Sequence, residues 1–299
     1  MMRFANLNGL RIEAKPSIKD AICPLCSETL IPKCGSIKIW HWSHKSNTDC
    51  DDWYEPESQW HLDWKNEFPK ECQEVTIKKC VSNHCSEGDG CIYEKGDEKR
   101  DCFFAEAREC IYKIHRADIK TENNWVIELQ NSSISPEEII KREEFYGDMV
   151  WLLNGAKFGK NIGFIKKDYG YNFSWSHPRK CWWKSKREIY IDFEDYVNEL
   201  KKEKVLYQNG KIHKSPLYEE YEFYNEHIDD YMTGTKITDY IDDTENHIVW
   251  LQKRVEFLFN KIFLIKKIYP KTPCSGWGKL ISKEEFLKKL NGDINGIKN

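Results

Sequence analysis

Five consecutive apolar residues, Met149-Val150-Trp151-Leu152-Leu153, closed by Asn154-Gly155, constrain what this chain can fold into more than any other stretch. A run without polar alternation is expected of a central strand covered on both faces. The residues before it supply a helix. Ser135-Pro136-Glu137-Glu138 places serine at an N-cap, proline at the first helical position and glutamate three residues after the cap, a capping-box pattern. That helix should run to about Gly147 with Ile139, Ile140 and Tyr146 inward and with Arg142 and Tyr146 one turn apart.

Upstream, His115 to Ser132 reads as two short strands joined by a polar turn over Thr121 to Asn124. With the turn centred on Asn123, Asp118 falls opposite Glu128, and directly opposed residues have Cβ atoms roughly 4.5–5.5 Å apart. Alternation puts Arg116, Asp118 and Lys120 on one face with Glu128 and Gln130, and Ala117, Ile119, Ile127 and Leu129 on the other. Two carboxylates on one face suit a hard divalent cation; an ordinary hairpin with a solvated polar side is the plainer reading. Tyr54 to Phe68 reads as a helix with Pro56 in its first turn and Pro69 closing it. Trp60, Trp64 and Phe68 form its core stripe, and Glu57, His61 and Lys65 share the adjoining one. Glu74 to Lys78 has the pattern of a neighbouring strand.

Ten of the twelve cysteines lie before residue 111. Cys23-Pro24-Leu25-Cys26 and His41-Trp42-Ser43-His44 together offer two thiolates and two imidazoles, a tetrahedral Zn²⁺ shell. The histidine spacing is short, so Cys34 or Cys50 could replace one imidazole. A second zinc would draw four ligands from Cys80, His84, Cys85, Cys91 and Cys102, in a loop marked by Gly88, Gly90 and Gly96; free thiols are the alternative.

The net charge of −3 hides a segregation. Lys157 to Arg187 carries nine basic residues, one acid and eight aromatics, a pattern that suits phosphate contact and base stacking through Lys180, Trp182, Trp183, Lys184 and Arg187, or else an aromatic-rich sheet with solvated lysines. Pro216 to Glu245 carries ten acids and one base. Three amphipathic helices are expected in this half, at Asp192 to Val205, Pro216 to Met232 and Asn246 to Tyr269, the last a stripe for core, a homodimer or a protein partner. No apolar run is long enough to span a bilayer and no secretory signal pattern opens the chain, so a cytoplasmic protein with no membrane partner is expected.

The order helix, strand, strand, strand, helix, strand is that of the PD-(D/E)XK nuclease core. Residues 20 to 155 resemble the competence protein CoiA family, through Cys23 to Cys26, His41 to His44, Glu57-Ser58-Gln59-Trp60-His61, His115 to Asp118, Val126 to Ser132, Arg142 to Tyr146 and Val150 to Leu153. The resemblance implies an α/β fold with a restriction-endonuclease-like (PD-(D/E)XK) core at 53–165, carrying a Cys-rich insertion at 79–110. A small zinc module at 1–52 would precede it and a mainly helical C-terminal domain at 166–299 would follow. It further implies a DNA endonuclease that handles incoming or foreign DNA, with Asp118 and Glu128 on Mg²⁺ or Mn²⁺ and Glu57 completing the metal shell. His61 would carry a proton or meet the phosphate, and Gln130 would align the water. The signature lysine is replaced by Gln130, which leaves Lys65 or Lys120 to move in. The alternative is a zinc-stabilised DNA-binding adaptor with a degenerate nuclease fold.

Overall fold

The computed structural model describes residues 2–36, 38–45, 50–53, 55–80, 112–209, 215–225, 230–241, 244–270 and 274–291. They form two compact units, Met1–Lys120 and Thr121–Asn299, so the main division falls inside the span 53–165.

In the first unit, β1 (Phe4–Leu7) and β2 (Leu10–Glu13) make an antiparallel hairpin. Asn8 (φ 53°) and Gly9 (φ 81°) both adopt left-handed backbone, as a two-residue Asn-Gly hairpin turn requires. A second hairpin, β3 (Leu30–Lys33) and β4 (His41–His44), packs Trp42 into a small core with Met2, Ala5, Ala14, Ala21, Cys23 and Leu30. Helix α1 spans only Gln59–Asn66, because Ser58 rather than the Pro56 region starts it. Ser58 has extended backbone (φ −104°, ψ 169°) and its hydroxyl accepts the His61 N–H. Trp60, Trp64 and Phe68 are buried as the stripe demands. Strands β5 (Gln73–Cys80) and β6 (Tyr112–Lys120) then pair antiparallel, from Gln73 against Ile119 to Cys80 against Tyr112.

The second unit opens on a turn closed by the Thr121 N–H donating to the Trp125 carbonyl at 2.8 Å. Strand β7 (Val126–Gln130), helix α2 (Pro136–Tyr146) and strand β8 (Met149–Asn154) form a parallel crossover unit. Ser135 caps α2 by accepting the Glu138 N–H at 3.0 Å, and every residue of β8 is buried. Then follow β9 (Ile162–Lys167), β10 (Gly170–Trp175), β11 (Glu188–Asp192), α3 (Glu194–Gln208), β12 (Ser215–Asn225), β13 (Asp230–Ile241), α4 (Thr244–Leu258), β14 (Lys261–Tyr269), β15 (Cys274–Ser282) and α5 (Lys283–Asn291). A mixed sheet runs β7-β8-β11-β14-β15-β10-β9, parallel across β7, β8 and β11 and antiparallel beyond, while β12 and β13 pair separately.

The C-terminal half is therefore strand-rich rather than mainly helical. Of Pro216 to Met232, expected as a helix, residues 216–225 lie in β12 and 230–232 in β13. The long helix expected over Asn246 to Tyr269 is α4 followed by β14. Asn260, at φ 55°, ends the helical path, and Ile262 to Ile265 are buried consecutively as a central strand, which erases the periodicity that separates strand from helix. Among the described residues no helix is long and apolar enough to cross a membrane.

Candidate functional site

The first unit assembles Cys23, Cys26, His44 and Cys50, whose ligand atoms all lie within 4.8 Å of one another. The Cys26 sulfur stands 3.2 Å from His44 Nε2, and the Cys23 and Cys50 sulfurs are 3.5 Å apart. Three sulfurs and one imidazole form a set that could bind a metal such as zinc. Burial pushes the Cys26 and Cys50 thiols up, and the nearby Cys23 adds to it, so a bound dication has to displace protons here. His41 is not part of the group. It is three residues from His44 on a strand, so the two rings leave opposite faces, and His41 Nδ1 bonds the Ile39 carbonyl at 2.7 Å. Cys80 sits at the last described position of β5, and nothing is described of its side chain; His84, Cys85, Cys91 and Cys102 lie outside the described residues.

A second assembly surrounds Lys65. Its ammonium lies 2.7 Å from Glu57 Oε1, 3.2 Å from Glu74 Oε1 and 3.2 Å from Asp118 Oδ1. Helix α1 supplies the lysine, the segment before it Glu57, and β5 and β6 the other two acids. The register places Glu74 against Asp118, between the pairs Gln73–Ile119 and Val75–Ala117. Burial alone would lower Lys65, but Glu74, Asp118 and Glu57 outweigh it and hold the ammonium charged far above the ordinary range. Burial would likewise raise Glu74, yet Lys65, Arg116 and the Arg3 backbone N–H at 2.9 Å bring it down to about 2. Glu57 goes the other way: burial dominates and raises it, with Glu74 and Asp118 adding to the rise. Two carboxylates of one cluster are thus driven apart, Glu74 firmly ionised and Glu57 the readier proton carrier. Glu74 also holds a left-handed backbone (φ 46°) inside a strand, a strain the surrounding bonds must sustain.

His61 helps to cap α1. The ring is 2% exposed and its Nδ1 accepts the Ser58 backbone N–H at 3.1 Å, completing a reciprocal cap at the start of α1 in place of the usual glutamate. Asp51, which no sequence motif singles out, joins the two assemblies. It follows Cys50 directly, bonds His115 Nδ1 at 3.0 Å and accepts the Arg116 N–H at 2.9 Å, two residues before Asp118. The Trp53 ring stacks on His115 with centroids 3.3 Å apart. The only sequence signal is the His115-Arg116-Ala117-Asp118 motif, which marks the strand side of the joint and not its partner.

In the second unit Glu128 is buried and its Oε2 accepts Arg142 Nη1 of α2 at 2.8 Å; Arg142 also pairs with Glu138 one turn earlier. Gln130 is buried with its amide donating weakly toward Ser132. Breaking a buried ion pair strands a charge, so Arg142→Met is expected to cost about 3–5 kcal/mol in urea denaturation. A loss below about 1 kcal/mol would show that Glu128 does not depend on this partner. Of the basic and aromatic segment, Trp182 is 1% exposed and packs edge-on against Trp151 at 5.1 Å, so it fills the core and is closed to base stacking. Lys180, Trp183, Lys184 and Arg187 remain at or near the surface.

Residues 11–52 match the family model described as competence protein CoiA, N-terminal domain. That CoiA-like segment contains Cys23, Cys26, His44 and Cys50 together with Asp51, and stops before Glu57, Lys65, Glu74 and Asp118. No curated protein and no solved structure matches the chain.

Proposed function

We propose that this chain is a metal-dependent DNA nuclease, acting in a competence-related or defensive setting, in which Lys65 supplies the positive charge that Gln130 cannot. The observation that carries the reading is the Lys65 ammonium 3.2 Å from Asp118, held there by the buried Glu57 and Glu74. The element order α1, β5, β6, β7, α2, β8 supports a restriction-endonuclease-like core. Carboxylate oxygen is the donor a hard divalent cation prefers, and Asp118, with a side chain 24% exposed against 7% for Glu57 and 2% for Glu74, is the acid of the cluster most open to solvent. The sequence motif gives Glu128 as the companion carboxylate. When bound, Mg²⁺ or Mn²⁺ would polarise the phosphate and lower the pKa of the attacking water. Lys65 would orient that water or stabilise charge developing on the phosphate, Glu74 would keep Lys65 in place, and Glu57 would accept or return a proton.

A DNA-binding adaptor without turnover is the second reading, favoured by Gln130 and by the use of Glu128 to hold Arg142. Incubating the protein with linear, circular and single-stranded DNA in Mn²⁺ separates the two. Cleavage is expected, with Asp118→Asn and Glu128→Gln slower by roughly 10²–10³-fold, the scale of losing one electrostatic group from such a site. Binding without cleavage would favour the adaptor, and cleavage unchanged in both variants would overturn the nuclease reading of this site.

A further inference from the structure

We propose that a groove in the second unit, formed by Trp183, Arg187, Lys266 and Lys267, binds a single strand of DNA. The cleft has a volume of about 190 Å³ and is lined by Trp183, Ser185 and Arg187 on one side and by Lys266, Lys267 and Pro270 on the other. It is smaller than the roughly 300–1,000 Å³ of a pocket for a drug-sized molecule. One flat base with its flanking phosphates suits it better.

Two features show how the groove is built. The first is a bulge in β14. Consecutive strand residues normally point to opposite faces, but the β14–β15 register shifts between Ile265 and Lys267, and Lys266 and Lys267 both reach the groove. The bulge brings backbone against β15: a Cβ on Gly276 would lie 2.0 Å from the Lys267 carbonyl oxygen, so only glycine fits there. The second is the anchoring of the opposite wall. Buried Glu143 accepts the Lys186 N–H at 2.9 Å, the Ser185 hydroxyl and the Trp151 indole N–H at 2.9 Å, and Trp182 is locked in the core. The turn that presents Trp183 and Arg187 is thereby fixed before any ligand arrives. The Lys180 ammonium sits 5.7 Å from the Trp183 ring.

Charge names the ligand. Arg187, Lys266 and Lys267 line the groove with Trp183, Lys180 lies beside that ring, and Lys184 and Lys186 are exposed in the same turn; Glu188 is bonded to Lys266 at 3.1 Å and also to Lys289. Cations with an aromatic platform suit a polyanion whose bases are unpaired, since a paired base offers no face to stack on. The choice of DNA over RNA rests on the nuclease reading; the groove itself does not.

The test is fluorescence anisotropy with labelled single-stranded DNA, duplex DNA and single-stranded RNA, without added Mg²⁺ or Mn²⁺, so that binding is read apart from cleavage. Wild-type protein should bind single-stranded DNA more tightly than duplex. Lys266→Ala/Lys267→Ala should flatten the dependence of log K on log salt by about 1.4, at roughly 0.7 for each phosphate that is no longer neutralised. Trp183→Ala should weaken binding roughly 10-fold with the salt slope kept, whereas Lys202→Ala on α3 serves as a charge control and should change neither. Thermal midpoints matching wild type show that the variants are folded. Absence of single-strand binding, a preference for duplex or for RNA, or a double-lysine variant with wild-type affinity and slope would overturn the proposal. Cleavage in Mn²⁺ would still decide the nuclease reading by itself.

Discussion

Lys65→Met is expected to destabilise the protein by about 3–5 kcal/mol at neutral pH, because it removes the buried ammonium that Glu57, Glu74 and Asp118 all contact. The pH dependence gives the loss a signature. Glu74 is held at about 2, below its ordinary value of 4.5, so its contribution is present above about pH 4.5 and disappears as pH falls toward 2. Lys65 is raised, so its contribution is complete below the ordinary lysine value of 10.5 and is lost only as pH climbs through its folded value. Glu57 is raised and works in the opposite sense to Glu74: what it contributes is present below its ordinary 4.5 and fades as pH rises. The gap between wild type and Lys65→Met should therefore be widest near neutrality and close as the acids protonate below about pH 4.5. Urea denaturation at a series of pH values measures it. A gap that is small and flat with pH would mean that the three acids do not need the lysine.

Loss of the metal knuckle should have a still larger effect. A structural zinc can supply on the order of 10 kcal/mol of folding free energy, and the core beside it rests on three alanines, one leucine and one tryptophan besides Met2 and Cys23. Cys50→Ser is expected to lower the bound zinc by one equivalent relative to wild type and to unfold this module, whereas His41→Ala should keep the metal. Because the thiols are pushed up by burial, zinc affinity should also fall steeply as pH drops. Metal analysis of the purified variants is the check. Zinc retained in Cys50→Ser and lost in His41→Ala would reverse the ligand assignment. The joint at Asp51 makes a further consequence visible, since metal loss should loosen the Arg116 amide that Asp51 holds two residues before Asp118.

Features written in local chemistry are legible from the residues. Ser135-Pro136 starts a helix, Asn8-Gly9 turns a hairpin, Met149 to Leu153 is a buried strand, and Trp60, Trp64 and Phe68 face one core. Features decided by long-range packing are not. Ile262 to Ile265 carries no periodicity because both faces of β14 are covered, so it merges with the helix before it. His41 and His44 have the spacing of a ligand pair, but the strand puts them on opposite faces, and Cys50, the alternative ligand, joins the group instead. Lys65 is legible as a member of the Glu57 stripe, eight residues away, but its hold on Glu74 and Asp118 depends on strand register. Asp51 is not legible from its surroundings, because apart from the Trp53 N–H its partners, His115 and the Arg116 amide, lie more than sixty residues away.

Single-turnover cleavage of end-labelled DNA in Mn²⁺ by Lys65→Met, with circular dichroism on the same sample to show that it is folded, probes the role of Lys65 most directly. Cleavage should fall by roughly 10²-fold or more while DNA binding is retained. A folded Lys65→Met that cleaves at the wild-type rate would contradict the assignment of Lys65 to the chemistry.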